Sequence, residues 1–237
     1  MIKQTQNWAG LTTHVLCDSA DEPAKRVYVL FHGFGAPGTD LVDLHQVLYA
    51  PAGTAFAFPE APHSLGRIFG PVESRAWWHI DLERFANATS PKAIEALCNE
   101  LPEGVKELRE QMVAFFQTMQ ARFKVSMEQT ILGGFSQGSM VALDSALALD
   151  SRVGGLALLS SSIIDGKGWD AHVAKLDGVP VYQSHGTRDP ILPIGVAETL
   201  RDRLSKAGAK LSWHAFEGEH GIPLEVIQDL NRFLATV

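Results

Sequence analysis

The sequence predicts an α/β fold, with a mainly parallel central sheet and helices on both faces. Three observations carry this expectation. Short apolar runs rich in β-formers recur along the 237 residues, at 27–31, 54–58, 130–132, 155–159, 179–183 and 210–216. Helix-compatible stretches separate most of them, and such alternation marks a parallel sheet. The run Val27-Tyr28-Val29-Leu30-Phe31 is apolar throughout rather than at alternate positions, as a strand covered on both faces is.

The elements follow in order. After the first run, Thr39 or Asp40 is expected to cap a short helix carrying Leu41, Leu44, Val47 and Leu48. The run 54–58 is stopped by Pro59 and Pro62. Residues 60–89 are irregular and hold Gly66, Gly70, Pro71 and the pair Trp77-Trp78, which reads as a long functional loop or partial lid. Ser90-Pro91 reads as an N-cap followed by proline at the first helical position. Beyond Pro102 and Gly104, Val105, Leu108, Met112, Phe115, Phe116 and Met119 fall three or four apart and form one buried helical stripe. Residues 139–149 and 193–204 are helix-compatible. Val226, Ile227, Leu230, Phe233 and Leu234 mark the inner face of a final helix. No repeat, linker or low-complexity tract divides the chain, so 1–237 reads as one domain.

Composition narrows the function. Hydrophobic residues make up 46% of the chain, enough for a large core, which excludes a disordered chain or a disulfide-stapled mini-protein. Lys and Arg number 20 against 27 Asp and Glu, a net charge of -7 with no basic block, so nucleic acid is not an expected partner. No apolar run is long enough for a transmembrane helix, and residues 1–8 lack an apolar signal core. Cys17 and Cys98 lie far apart and read as two buried thiols, so the expected location is cytoplasmic.

The chemistry concentrates in Gly134-Phe135-Ser136-Gln137-Gly138, a G-x-S-x-G pattern. A strand-like run precedes it and a helix-compatible run follows. That context suits a sharp strand-to-helix turn with serine at its tip and glycines where side chains would collide. Ser136 is the expected nucleophile. A serine hydroxyl needs an imidazole to take its proton and a carboxylate to orient that imidazole. In an α/β-hydrolase the order is Ser, acid, His. Of the histidines after Ser136, His220 lies in a loop just past the last strand and is the expected base, while His185 reads as a brace for its loop. Asp189 follows the 179–183 strand and is the expected acid, with Asp165 as its rival. Glu217 and Glu219 are too close to His220 in sequence to orient its ring. Backbone donors suit a developing oxyanion. The N–H groups of Gln137 and of Phe34, in His32-Gly33-Phe34-Gly35, are expected to supply them, which would leave both side chains replaceable. His32 reads as a brace for that loop.

Taken together, these residues resemble the phospholipase/carboxylesterase family of small α/β-hydrolases, which includes bacterial carboxylesterases and acyl-protein thioesterases. The resemblance runs through nearly the whole chain. It is carried by Val29-Leu30-Phe31-His32-Gly33-Phe34-Gly35, Phe58-Pro59-Glu60-Ala61-Pro62, Arg75-Ala76-Trp77-Trp78, Gly133-Gly134-Phe135-Ser136-Gln137-Gly138, the stretch from His185-Gly186-Thr187-Arg188-Asp189 to Pro193, and Gly218-Glu219-His220. It implies an α/β-hydrolase fold, Ser136, Asp189 and His220 as triad, and Phe34 with Gln137 as oxyanion hole. It permits a homodimer. Departures are Ala36-Pro37 where thioesterase-like members carry an aspartate, Trp78-His79 at the end of the Arg-Ala-Trp segment, Thr187 and Gly221.

The expected activity is hydrolysis of short- to medium-chain carboxylic esters through an acyl-enzyme on Ser136, without metal or organic cofactor. An acyl-thioesterase or lysophospholipase would use the same triad. A catalytically silent α/β-hydrolase that binds a ligand or partner is the reading from another class. Leu65, Ile68, Phe69, Trp77 and Trp78 are expected to line or support the substrate pocket. Arg67 and Arg75 read as ion-pair residues rather than contacts for an anionic substrate group.

Overall fold

Alternate residues of strand β3 (Arg26–Phe31) point into two different cores. Val27, Val29 and Phe31 join one, and Tyr28 and Leu30 join the other, which is why the run carries no polar face. The computed structural model describes residues 1–19, 22–68, 70–81, 84 and 90–237. The other strands are β1 (Ile2–Trp8), β2 (Leu11–Cys17), β4 (Thr54–Pro59), β5 (His63–Gly66), β6 (Ser74–Ala76), β7 (Thr130–Phe135), β8 (Gly155–Leu159), β9 (Pro180–Gly186) and β10 (Lys210–Phe216). Among the described residues they form an eight-stranded sheet in the order β1-β2-β4-β3-β7-β8-β9-β10 and a separate β5-β6 pair. The sheet is antiparallel from β1 through β2 to β4 and parallel from β4 to β10.

Helices cover both faces, as expected. On one side pack α2 (Val105–Phe123), α3 (Gln137–Ala148) and α5 (Ile194–Lys206). All six stripe residues expected on α2 are buried, and Phe123 continues them. On the other side lies α6 (Leu224–Leu234), whose expected inner face is buried in full. Helix α1 (Pro91–Cys98) starts as predicted, with Ser90 Oγ accepting from Ala93 N at 3.2 Å. No helix among the described residues is long and apolar enough to cross a membrane. Cys17 is buried and Cys98 half-buried, both as free thiols.

Several elements correct the sequence reading. The β1-β2 hairpin is absent from it because β1 is an edge strand of Gln, Thr and Asn with most side chains outward. Its turn is legible in hindsight, with Ala9 and Gly10 both at positive φ. The helix expected after Thr39 or Asp40 is a five-residue 3₁₀ helix, Val42–Gln46. It is preceded by Leu41, and no side chain caps it. Both Leu41 and Leu48 are buried, but Val47 faces solvent. The irregular 60–89 segment contains the β5-β6 pair. A further helix, α4 (Gly166–His172), was not foreseen: Asp165 precedes it without a side-chain capping bond, and its Gly-Lys-Gly opening has poor helix propensity.

Candidate active site

Parallel strands discharge their loops at one edge of a sheet. Five of them do so here. After β3 comes the loop of Phe34, after β7 Ser136, after β8 Ser160, after β9 Asp189, and after β10 His220. Residues nearly 190 positions apart in sequence thus share one edge.

Ser136 sits between β7 and α3 with φ 54° and ψ -121°, a conformation L-residues rarely adopt. Holding a residue there costs about 1–3 kcal/mol. The surroundings fix it. Ser136 N donates to Leu159 O at 2.9 Å, and Ser136 O accepts from Ser139 N at 3.0 Å and from Ser139 Oγ at 2.6 Å. A Cβ on Gly138 would overlap the Phe31 carbonyl, and one on Gly134 would lie 2.5 Å from the Gly138 carbonyl carbon. The two glycines therefore let α3 turn back directly under the strand end. The half-buried Ser136 remains reachable while the next eleven residues of α3, Gln137 to Leu147, are buried.

Asp189 and His220 are brought together directly, with His220 Nδ1 2.6 Å from Asp189 Oδ2. The second carboxylate oxygen, Oδ1, accepts from Ile191 N and Leu192 N, each at 2.8 Å. The Asp189 side chain is inaccessible to solvent. Burial pushes its carboxyl upward, but the bonds from His220 and from the Leu192 and Ile191 amides outweigh that and hold it below the usual carboxylate range. The ionised carboxylate can only accept, so His220 Nδ1 carries a proton toward it, the tautomer in which a neutral ring offers Nε2 as acceptor. The Phe135 ring lies against His220, centroids 4.7 Å apart, and places the imidazole beside the serine turn. No hydrogen bond joins Ser136 Oγ to His220 among the described residues. Catalytic hydrogen bonds are often long before substrate binds.

The rival acid is committed elsewhere. Asp165 Oδ2 accepts from Arg109 Nη2 at 2.8 Å, and the same guanidinium grips Asp144 through two bonds. His185 braces its loop as expected. Its Nε2–H donates to Leu192 O at 2.8 Å and faces Asp189 Oδ2 at 3.4 Å. His32 braces the loop of Phe34. Its Nε2 accepts from Ala61 N at 3.0 Å, so the proton sits on Nδ1, which donates to Gly33 O at 2.9 Å. Burial lowers its pKa to about 4, which keeps it neutral. Gly33 also touches the Ser136 turn, since a Cβ there would lie 3.5 Å from Ser136 Cβ. Among the described residues, no group accepts from Phe34 N–H or Gln137 N–H. Gln137 opens α3, where the helix dipole also favours negative charge.

One expectation about side chains fails. The Gln137 side chain is not free to vary. It is fully buried, its Oε1 accepts from Trp77 N at 3.0 Å, and its Nε2 donates to Trp78 O at 2.9 Å. A long polar residue opening an otherwise buried helix was the available signal. Trp77 and Trp78 are core residues that support the site rather than line it. Ile68 is exposed, Leu65 is half-buried, and Phe69 lies outside the described residues. Arg75 is an ion-pair residue, 3.2 Å from Glu73 and 3.6 Å from Glu60, and Arg67 is exposed.

This combination defines a serine-hydrolase-type α/β-hydrolase. Residues 13–237 match the Phospholipase/Carboxylesterase family, and the chain belongs to it. Acyl-protein thioesterase 1 of Kluyveromyces lactis is 30% identical over 233 residues, covering 92% of this chain and 94% of its own. Acyl-protein thioesterase 1 of Eremothecium gossypii is 32% identical over 204 residues, covering 80% and 77%. Among solved structures, esterase PE8 superposes with a TM-score of 0.78 at 28% identity, over 96% of this chain and 99% of that one.

Proposed function

We propose that this chain is a serine acyl hydrolase with Ser136 as nucleophile, His220 as general base, Asp189 as its orienting acid, and the N–H groups of Phe34 and Gln137 as oxyanion hole. The observation that carries the reading is the 2.6 Å Asp189–His220 hydrogen bond at the sheet edge that also bears the strained serine turn. In this mechanism the acyl carbonyl oxygen sits between the two N–H donors. His220 Nε2 takes the Ser136 proton as Oγ attacks, and Asp189 stabilises the resulting imidazolium. His220 then protonates the departing group, leaving an acyl-enzyme. Water activated by the same imidazole releases the acid.

For the bond cleaved, the curated relatives favour an acyl thioester over the short- or medium-chain carboxylic ester first expected, since both named here are acyl-protein thioesterases. The carboxylic ester stays as the second reading because of the similarity to esterase PE8. Matched series of acyl thioesters and oxygen esters, from two to sixteen carbons, separate the two. Thioesters should give the higher kcat/KM at equal length. A preference for short oxygen esters would restore the carboxylesterase reading. A fluorophosphonate should add its mass to Ser136 in the wild type and fail in Ser136→Ala. A folded wild type that neither labels nor turns over would favour a silent binding protein.

A further inference from the structure

The two proposed oxyanion donors belong to loops about a hundred residues apart, yet one segment ties them together. Residues 75–78 run between the Phe34 loop and the serine turn. On the loop side, Gly35 N donates to Arg75 O at 2.8 Å and Arg75 N to Ala36 O at 3.0 Å. Trp77 Nε1 donates to His32 O at 2.9 Å. Phe34 is therefore held on both flanks by this segment. On the serine side, the Gln137 side chain makes both bonds, accepting from Trp77 N and donating to Trp78 O. Trp77 itself is locked, fully buried with its ring edge-on to Phe31 at 5.3 Å and beside His32 at 5.4 Å.

We infer that the Gln137 side chain is a positioning residue. Through Trp77 and Trp78 it sets the spacing between its own backbone N–H and that of Phe34, and so the geometry of the oxyanion hole. Gln137 thus acts twice, with its amide N–H toward the substrate oxygen and with its side chain toward the segment that carries the second donor. Leucine or methionine fills the volume without bonding. Glutamate can accept from Trp77 N, but its carboxylate repels the Trp78 carbonyl unless protonated. The consequence is specific to the reaction, because donors aimed at an oxyanion act most strongly in the transition state.

This inference rests on the acyl-hydrolase reading, and the experiment separates the two. Wild type, Gln137→Met, Gln137→Glu and Trp77→Phe are compared for kcat, KM, thermal stability and affinity for an alkyl trifluoromethyl ketone. That ketone adds Ser136 Oγ to its carbonyl carbon, passes the serine proton to His220 and leaves an oxyanion in the hole. Gln137→Met should lower kcat and ketone affinity together by about ten- to a hundredfold, within the range for losing one oxyanion donor. KM should stay within about twofold. Trp77→Phe should show a smaller loss of the same kind, and its effect should not add to that of Gln137→Met. In Gln137→Glu, ketone affinity relative to wild type should recover as pH falls and the buried carboxyl gains its proton. Gln137→Glu and Trp77→Phe keep the test intact if Gln137→Met does not fold. Variants that melt earlier yet keep wild-type kcat and ketone affinity at every pH would overturn the inference and leave the acyl-hydrolase reading standing. A wild type inert to esters, thioesters and fluorophosphonate would remove both.

Discussion

Asp189 meets His220 through one oxygen only. The Oδ2 atom takes the imidazole at 2.6 Å, while Oδ1 is occupied by the Ile191 and Leu192 amides. The carboxylate is thereby fixed in the plane it offers to the ring. Replacing it by an amide of the same shape should cost the tautomer more than the fold. Asp189→Asn is expected to lower kcat by about 10⁴-fold, the scale seen when a triad aspartate loses its charge. Asp165→Asn should leave turnover within a few-fold of wild type. Steady-state kinetics on the two variants decides between them, and equal losses would return Asp165 to candidacy.

His185 stands behind that carboxylate, donating to Leu192 O and facing Oδ2. Burial lowers its pKa, so the ring is neutral and donates from Nε2. His185→Leu should loosen the 187–192 turn and cut kcat/KM by about ten- to a hundredfold through misplacement of the acid. A wild-type kcat/KM in a folded His185→Leu would show that the backbone alone holds Asp189.

The acid sensitivity of the fold should trace in part to His32. Its folded pKa of about 4 is below the ordinary 6.5, so the unfolded chain binds the extra proton first. Its stabilising contribution is complete above pH 6.5 and is lost progressively as pH falls toward 4. A shift of this size corresponds to roughly 3 kcal/mol across that window. Urea denaturation of wild type and His32→Gln at pH 7.5 and 4.5 tests this. The variant should show the flatter pH dependence.

Gly186 closes β9 directly beneath the His220 loop, and a Cβ there would overlap the Glu219 carbonyl. Gly186→Ala must push that loop outward and take His220 with it. Activity should fall by at least tenfold, with a stability loss of about 1–3 kcal/mol, typical of overpacking. Full activity with lowered stability would mean the loop yields without moving the imidazole.

Asp144 carries a charge pair of another kind. It receives two bonds from Arg109 and one from Trp169 Nε1, with its side chain 8% exposed. Asp144→Ala strands Trp169 Nε1 and Arg109 Nε, while Arg109 Nη2 keeps its bond to Asp165. Breaking a buried pair costs about 3–5 kcal/mol, and Arg109 is open enough to water that the low end applies. Chemical denaturation reads the loss, and fluorophosphonate labelling of Ser136 in the surviving folded fraction should proceed at the wild-type rate.

What the sequence disclosed depended on how each feature is encoded. Strands buried on two faces, such as β3 and β7, announce themselves by composition, and α2 by its period. The β1 edge strand is largely polar because solvent covers it, and no element was assigned to it from the sequence. The pairing of Asp189 with His220, the proposed acid and base, was legible because their strands end in short loops, so position along the chain translates into position at the sheet edge. The Gln137 clamp was not legible. Its partners are backbone groups of Trp77 and Trp78, 60 and 59 residues upstream, and a backbone group leaves no mark in a sequence. The two tryptophans were expected to line or support the pocket, and the sequence left that choice open because aromatic residues in an irregular segment serve equally as core.

The parallel pairing of β3 with β7 has a consequence for synthesis. Leu30 lies opposite Gly133, so the centre of the sheet closes a loop of about a hundred residues. On either side of that seam stand the parts that hydrolysis would need, the last of them at His220. A chain still emerging from the ribosome carries the serine well before it carries the imidazole. On the proposed mechanism, its chemistry would stay silent until β10 and the loop behind it have docked, so no intermediate lacking them could spend substrate.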